Sequence, residues 1–173
     1  KNISAFLETQ LEGTKVIVGD GPQLEALKEK HKDAHFLGVK QGEELADCFA
    51  NADVFVFPSL TDTFGLVILE AMAAGTPVAG FNVPGPRDLI PGSNAGAISE
   101  DFAKACMEAL TCSREATRAY AETYSWRACA EQFIPAFLEL GGKDPAIVLA
   151  SADPDRAAAT VLRASVQATG QAC

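Results

Sequence analysis

The sequence predicts an α/β domain built on a parallel sheet, and three observations support this prediction. Short runs rich in β-branched and aromatic residues recur along the chain, at residues 14–18, 54–57 and 78–81. Helix-favouring segments lie between these runs, and strands that alternate with helices pair in parallel through right-handed crossovers. The composition, 48% apolar and 21% charged over 173 residues, suits one soluble globular domain with a sizeable core.

Charge and cysteine usage argue against several classes of protein. The net charge of −9 argues against nucleic acid or an anionic membrane as a partner. No stretch reaches the roughly 18 consecutive apolar residues of a membrane helix, and no leader pattern is recognisable. The cysteines are odd in number and widely spaced, so we expect reduced thiols, a cytoplasmic protein and no metal site. They are Cys48, Cys106, Cys112, Cys129 and Cys173.

The first half of the chain reads as helix, strand, helix, strand and helix. The opening residues carry Ile3, Phe6 and Leu7 on one helical face, so we expect the domain to begin before Lys1. The strand at 14–18 stops at a Gly-Asp-Gly-Pro turn, where Pro22 suits the first position of a helix. Residues 35–39 are predicted to form the next strand and its exit. Residues 42–50 are predicted to form an amphipathic helix with apolar residues inward, namely Leu45, Ala46, Phe49 and Ala50.

Helices dominate the second half, after the strand at 78–81. Ser99 is predicted to cap a helix that ends at Leu110, and a further helix covers about residues 113–122. Ser125 is predicted to cap a third. From Gly141 the residues become small and polar, so we expect a domain over residues 1–140 and a poorly ordered tail over 141–173.

The stretch 58–80 is the most informative part of the sequence. The apolar run 54–57 stops at Pro58, a polar turn follows, and a helix is predicted from Gly65 to Ala74. We expect this helix to be buried, with Glu70 as its one polar side chain and no cation on the same helix beside it. Glu70 then either pairs with a structural partner from another element or accepts hydrogen bonds from a ligand's hydroxyl groups.

The start of that helix favours the ligand. Gly65 permits close approach to the backbone, and the free amides of Gly65, Leu66 and Val67 form an anion site. An anion site with a carboxylate one turn further on suits a nucleotide-sugar diphosphate.

These residues resemble a known family. The run from Asp62 through Thr63, Phe64 and Gly65 to Glu70, followed by Ala-Met-Ala-Ala-Gly-Thr-Pro-Val, is similar to the donor-site signature of retaining glycosyltransferases of family 4. This resemblance implies the carboxyl-terminal half of a GT-B fold, a Rossmann-like parallel sheet with helices on both faces. It also implies that Asp62 lies near the donor sugar and that Glu70 binds the ribose. The first acid is more often Glu in this family.

The resemblance assigns further contacts to the donor. It implies that the amides around Phe64, Gly65, Leu66 and Val67 hold the diphosphate and sugar. Lys1 corresponds to a lysine that contacts the diphosphate, although the family's neighbouring arginine is absent; the alternative is a solvated terminal residue. The turn with Gly19 and Gly21 would border the donor cleft, and the backbone of Val39 and Lys40 would pack against the base.

The resemblance therefore implies an enzyme that transfers a hexose from a UDP- or GDP-linked donor to a lipid or saccharide. Asp62, Glu70 and Lys1 are its candidate catalytic residues, and no cofactor or metal is expected. The acceptor would bind a missing amino-terminal domain, which would also provide any peripheral membrane association; without it we expect an inactive fragment. The alternatives are a non-catalytic nucleotide-sugar-binding module, a structural Rossmann-like domain and a nucleotide-sugar epimerase.

Overall fold

The computed structural model describes residues 1–62, 65–125, 127–128 and 130–131. The chain divides into two compact units, Lys1–Glu122 and Thr123–Cys173, and the helices and strands defined below belong to the first. In chain order these are α1 (Ile3–Glu8), β1 (Val16–Ile17), α2 (Leu24–Lys30), β2 (His35–Phe36), α3 (Gly42–Ala50), β3 (Phe55–Phe57), α4 (Leu66–Ala73), β4 (Val78–Gly80), α5 (Pro86–Leu89), β5 (Gly96–Ile98), α6 (Phe102–Ala109) and α7 (Arg114–Ala121).

All strand pairs of the described residues are parallel. β1 pairs with β2, and β3, β4 and β5 form a second sheet in that order. A helix connects each strand with the next, as parallel pairing requires. The predicted α/β class is therefore confirmed.

Helices cover both faces of the β3-β4-β5 sheet, because successive side chains of a strand point to opposite faces. Phe55 and its register partner Val78 belong to the core cluster that contains Ile68 and Met72 of α4. Val56 and its partner Ala79 belong to a second cluster, which is formed with α6. The apolar face of α6 is buried as predicted, at Phe102, Ala105, Cys106 and Ala109.

The strands are shorter than the sequence predicts, and one was missed. β1 covers Val16–Ile17 and β2 covers His35–Phe36, because each strand soon runs into a glycine with positive φ, at Gly19 and Gly38. The backbone there cannot continue a strand. β5 was not predicted, because Gly96–Ile98 lacks the β-branched run on which the prediction depends.

Helix starts and faces show further differences. Asp101 caps α6 by accepting from the Lys104 amide at 3.2 Å, so the prediction of Ser99 as the cap was wrong. Pro22 lies two residues before α2, and not at its first position. In α3, Phe49 is buried but Ala46 and Ala50 are exposed, because the helix lies at the surface and buries a narrow face.

Two other helix starts have serine caps, of which the one at Ser125 was predicted. Ser113 caps α7, since its hydroxyl oxygen accepts from the Ala116 amide at 3.3 Å. In the second unit the Ser125 hydroxyl accepts from the Ala128 amide at 3.0 Å. The expected tail at 141–173 lies outside the described residues.

Candidate functional site

Apart from Lys1, which precedes α1, the predicted site residues of the first unit lie at or just after the carboxyl ends of strands, where open α/β sheets bind ligands. Gly19 and Gly21 follow β1, and Val39 and Lys40 follow β2. The Gly19 amide donates to the Gly38 carbonyl oxygen at 2.7 Å, so these two turns are joined directly. Asp62 and Gly65 lie in the corresponding loop after β3. Thr63 and Phe64, in the same loop, lie outside the described residues.

Gly65 fixes the start of α4. Its backbone is left-handed, with φ 75° and ψ 58°, a conformation that glycine adopts at little cost. A Cβ atom there would lie 2.9 Å from Ile68 Cδ1 and 3.5 Å from Phe57 Cζ. Gly65 is therefore required by backbone conformation and by packing, in addition to the ligand approach that the sequence suggests.

The backbone at the start of α4 can bind an anion. No side chain caps this helix start among the described residues. The Ile68 amide donates to the Gly65 carbonyl at 2.8 Å, and within the described part of the chain the amides of Leu66 and Val67 have no acceptor. First-turn amides point out of a helix at the positive end of its dipole. A phosphate or carboxylate group is the ligand that such a helix start suits.

The expectation that Glu70 belongs to a buried helix was wrong. α4 buries only one side, at Ile68, Ala71 and Met72, whereas Leu66, Glu70 and Ala73 are exposed. The exposed positions recur at i, i+4 and i+7, which is one face of a helix. Within the described residues, no hydrogen bond or ion pair reaches the Glu70 carboxylate, so it is not held by an internal cation. It is accessible to a ligand.

Lys1 and Asp62 are brought together across 61 positions of the chain. Lys1 Nζ donates to Asp62 Oδ2 at 2.6 Å. The Lys1 side chain is 70% exposed and that of Asp62 is 28% exposed. This hydrogen bond from Lys1 holds the pKa of the Asp62 carboxyl below its ordinary value, and a hydrogen bond from Ser59 lowers it further.

The other residues predicted to contact the donor have apolar side chains, except for Lys40, which forms an ion pair. Val39 is 60% exposed and Leu66 is 63% exposed, so both side chains are accessible to a ligand. Lys40 pairs with Glu44 at 3.4 Å. Val67 is half-buried and packs against the core.

Sequence reasoning missed a cavity of about 410 Å³ that contains none of the predicted site residues. It is lined by the end of α1, by Lys15 just before β1 and by His31 just after α2. Lys15 Nζ donates to the carbonyls of Leu7 and Thr9 at 2.7 Å each, while His31 Nε2 is buried without a partner among the described residues. No sequence motif pointed to it, because its walls come from three separate segments.

The described residues contain neither a metal-binding cluster nor a helix that could span a membrane. No group of three or more His, Cys, Asp or Glu side chains could hold a metal ion there. In the same part of the chain, no helix has the length and apolar character that crossing a bilayer requires.

Comparison with known proteins identifies the family. The profile of the family described as Glycosyl transferases group 1 matches residues 2–112. The sulfoquinovosyl transferase SQD2 of Arabidopsis thaliana is 37% identical over 144 residues, covering 73% of this chain and 28% of that protein. The GDP-mannose-dependent alpha-mannosyltransferase of Corynebacterium glutamicum is 49% identical over 75 residues, covering 43% of this chain and 18% of that protein.

Solved structures agree with this result. The sucrose-phosphate synthase of Thermosynechococcus elongatus superposes with a TM-score of 0.61 at 25% identity, covering 80% of this chain and 41% of that chain. The present chain thus spans less than half of the proteins that it resembles.

A second family profile, that of the aldehyde dehydrogenase family, matches residues 58–173. The two matches overlap at residues 58–112, where the relatives and the superposed structure agree with the glycosyltransferase fold. Of the two profiles, only that of the aldehyde dehydrogenase family covers residues 113–173, although the superposed structure covers 80% of this chain and so also extends past residue 112. The chain therefore belongs to the glycosyl transferases group 1, as a carboxyl-terminal portion of their GT-B fold, and its following residues match the aldehyde dehydrogenase family.

Proposed function

We propose that this chain is the donor-binding domain of a retaining glycosyltransferase, and that the complete enzyme transfers a hexose from a UDP- or GDP-linked donor to a lipid or saccharide. The observation that carries the proposal is the uncapped start of α4 behind Gly65, in a chain of this family. A diphosphate is the part of such a donor that helix-start amides bind.

The other site residues take roles that follow from their chemistry. Lys1 supplies a positive charge for the diphosphate, and Asp62 accepts hydrogen bonds from sugar hydroxyls. Glu70, exposed one turn into α4, accepts hydrogen bonds from the ribose. The turn with Gly19 and Gly21 borders the cleft, and Val39 and Lys40 contact the base.

Catalysis by this domain would be electrostatic. Departure of the nucleoside diphosphate develops negative charge on its phosphate groups. Fixed amide dipoles at Leu66 and Val67, with the Lys1 ammonium, stabilise that charge where it forms. No step in this scheme needs a metal ion.

The names of the relatives state different transferred groups. One is a GDP-mannose-dependent mannosyltransferase, and another is a sulfoquinovosyl transferase. The sugar therefore varies among related proteins, and the base and sugar have to be assigned by binding. The acceptor would bind the amino-terminal domain, which also carries any peripheral association with the cytoplasmic face of a membrane. We expect this chain alone to bind donor without transferring it.

Calorimetric titration of the chain with UDP-glucose and GDP-mannose tests the proposal. Saturable binding of one of them, competed by the matching nucleoside diphosphate, is the expected result. Binding of neither would contradict the proposal and favour a structural α/β domain. Sugar analysis after incubation separates a donor domain, which leaves the hexose unchanged, from an epimerase, which converts it.

A second candidate concerns the residues after the glycosyltransferase part, and it is favoured by the aldehyde dehydrogenase match over residues 58–173. These residues would contribute to oxidation of an aldehyde to an acid, with a nicotinamide cofactor as hydride acceptor. Incubating the chain with aldehydes and NAD or NADP, and following the absorbance of the reduced cofactor, tests this candidate. Absence of reduction would remove it for this chain.

A further inference from the structure

Two side chains that we propose to bind the sugar donor already bind each other in this structure. The Lys1 ammonium and the Asp62 carboxylate form an ion pair at 2.6 Å, which joins the residue before α1 to the loop between β3 and α4. The diphosphate and the sugar would each need one of these groups, and the closed pair engages the ammonium with Asp62 Oδ2. The geometry points to an exchange: the donor diphosphate displaces Asp62 from Lys1, and the released carboxylate becomes available to the sugar. This inference rests on the proposed function.

The two partners differ in their freedom to move. Asp62 is 28% exposed and lies in the loop that follows β3, three residues after the buried Ser59. Lys1 is 70% exposed and ends a flexible stem. The ammonium therefore moves during the exchange, whereas the carboxylate stays in its loop.

The pair is weak enough to open. Exposed ion pairs contribute about 0–1 kcal/mol, because water and salt screen them. A diphosphate carries more negative charge than one carboxylate, so Coulomb attraction favours transfer of the ammonium to the phosphate groups.

The exchange predicts that removing the charge of Asp62, a proposed binding residue, increases the affinity for the nucleotide. Asp62→Asn removes the competing partner of Lys1, so affinity of the full chain for UDP or GDP should rise about two- to five-fold by calorimetry. Lys1→Met should lower that affinity. Asp53→Asn is the matched control, since it removes the same charge from an exposed residue at the other end of β3 and should leave the affinity unchanged.

A double-mutant cycle separates exchange from simple repulsion. If Asp62 only repelled the diphosphate, Asp62→Asn would raise affinity equally with and without Lys1. Exchange requires the gain to disappear in the Lys1→Met background. An equal gain in both backgrounds, or no gain in the first, overturns the exchange while the proposed function stands. Failure of the unaltered chain to bind either nucleotide overturns both.

Discussion

The Arg114 guanidinium closes the carboxyl-terminal end of α3. Its Nη1 donates to the Ala52 carbonyl at 2.7 Å, and its Nη2 donates to the Ala50 carbonyl at 2.6 Å. The last carbonyls of a helix lack intrahelical donors and carry partial negative charge, so a cation is a favourable partner. Arg114 begins α7, and α7 packs on α4. This contact therefore connects α3 to the helix that packs on α4.

Replacing this arginine should destabilise the fold. Arg114→Ala loses both carbonyl contacts, and we expect the free energy of unfolding to fall by about 1 kcal/mol, because the contact is exposed. Urea denaturation followed by circular dichroism measures the change. Arg118→Ala, an exposed arginine of the same helix, is the control and should cost much less. Equal losses would show that Arg114 acts only through helix propensity.

Thr76 makes the buried counterpart of this contact. Its side chain is 0% exposed and its hydroxyl donates to the Phe49 carbonyl, while Arg114 Nη2 donates to the Thr76 hydroxyl oxygen at 3.4 Å. Thr76→Val keeps the shape but leaves that carbonyl without this donor, so we expect a loss of about 1–3 kcal/mol in the free energy of unfolding. Thr76→Ser keeps the hydroxyl and should retain more than half of this stabilisation. A valine variant as stable as the unaltered chain would contradict the assignment.

Gly65 should not tolerate a side chain. Gly65→Ala combines a positive φ with a Cβ 2.9 Å from Ile68 Cδ1, so we expect a loss of about 1–3 kcal/mol in stability. Thermal unfolding measures the loss. Gly21→Ala provides the comparison, since its Cβ would meet no atom within 4 Å and its φ lies outside the left-handed region. That substitution should be near neutral in stability.

Glu70 should matter for binding and not for folding. Its carboxylate is exposed and makes no hydrogen bond or ion pair with another described residue, so Glu70→Ala should change the free energy of unfolding by less than about 0.5 kcal/mol. If Glu70 binds the ribose, the same variant should lose about ten-fold or more in donor affinity, since a charged hydrogen bond is removed. Glu43→Ala, at an exposed helical glutamate of α3, should leave the donor affinity unchanged. A loss of stability without a loss of affinity would return Glu70 to a structural role.

Cys106 gives a pH-dependent prediction. Burial raises the pKa of its thiol from an ordinary value of 9.0 to about 11. The folded state thus keeps a proton that the unfolded state releases, so this contribution to stability is complete below pH 9 and is lost as pH rises through about 11. In iodoacetamide labelling mapped by mass spectrometry at pH 8, Cys106 should remain unmodified while half-buried Cys48 reacts. Labelling of Cys106 at the rate of Cys48 would contradict its burial.

Local signals in the sequence predicted local structure well. The bounds of α3 were predicted residue for residue, because its amphipathic pattern is unbroken between Gly42 and the turn at Asn51. The start of α4 followed from Gly65 and its end from Gly75 and Pro77. The exposed face of α4 was missed, because a helix with apolar residues on all sides gives no periodic signal for the side that carries Glu70.

Contacts between segments that are distant in the chain could not be predicted from these local sequence signals. The Lys1–Asp62 pair spans 61 positions, and the Arg114 contacts span 62 and 64. Both depend on which elements pack together, which propensity and periodicity do not encode. The cavity beside His31 has the same origin, since three segments form it without any motif of their own.

The single hydrogen bond from the Gly19 amide to the Gly38 carbonyl makes the loops after β1 and β2 one mechanical unit. A ligand that restricts the motion of one loop should also restrict the other. Binding of a molecule to Val39 should therefore slow the exchange of the Gly19 amide proton with solvent. For the same reason, an insertion of one residue in either loop would break this hydrogen bond, and the two loops would then fluctuate separately.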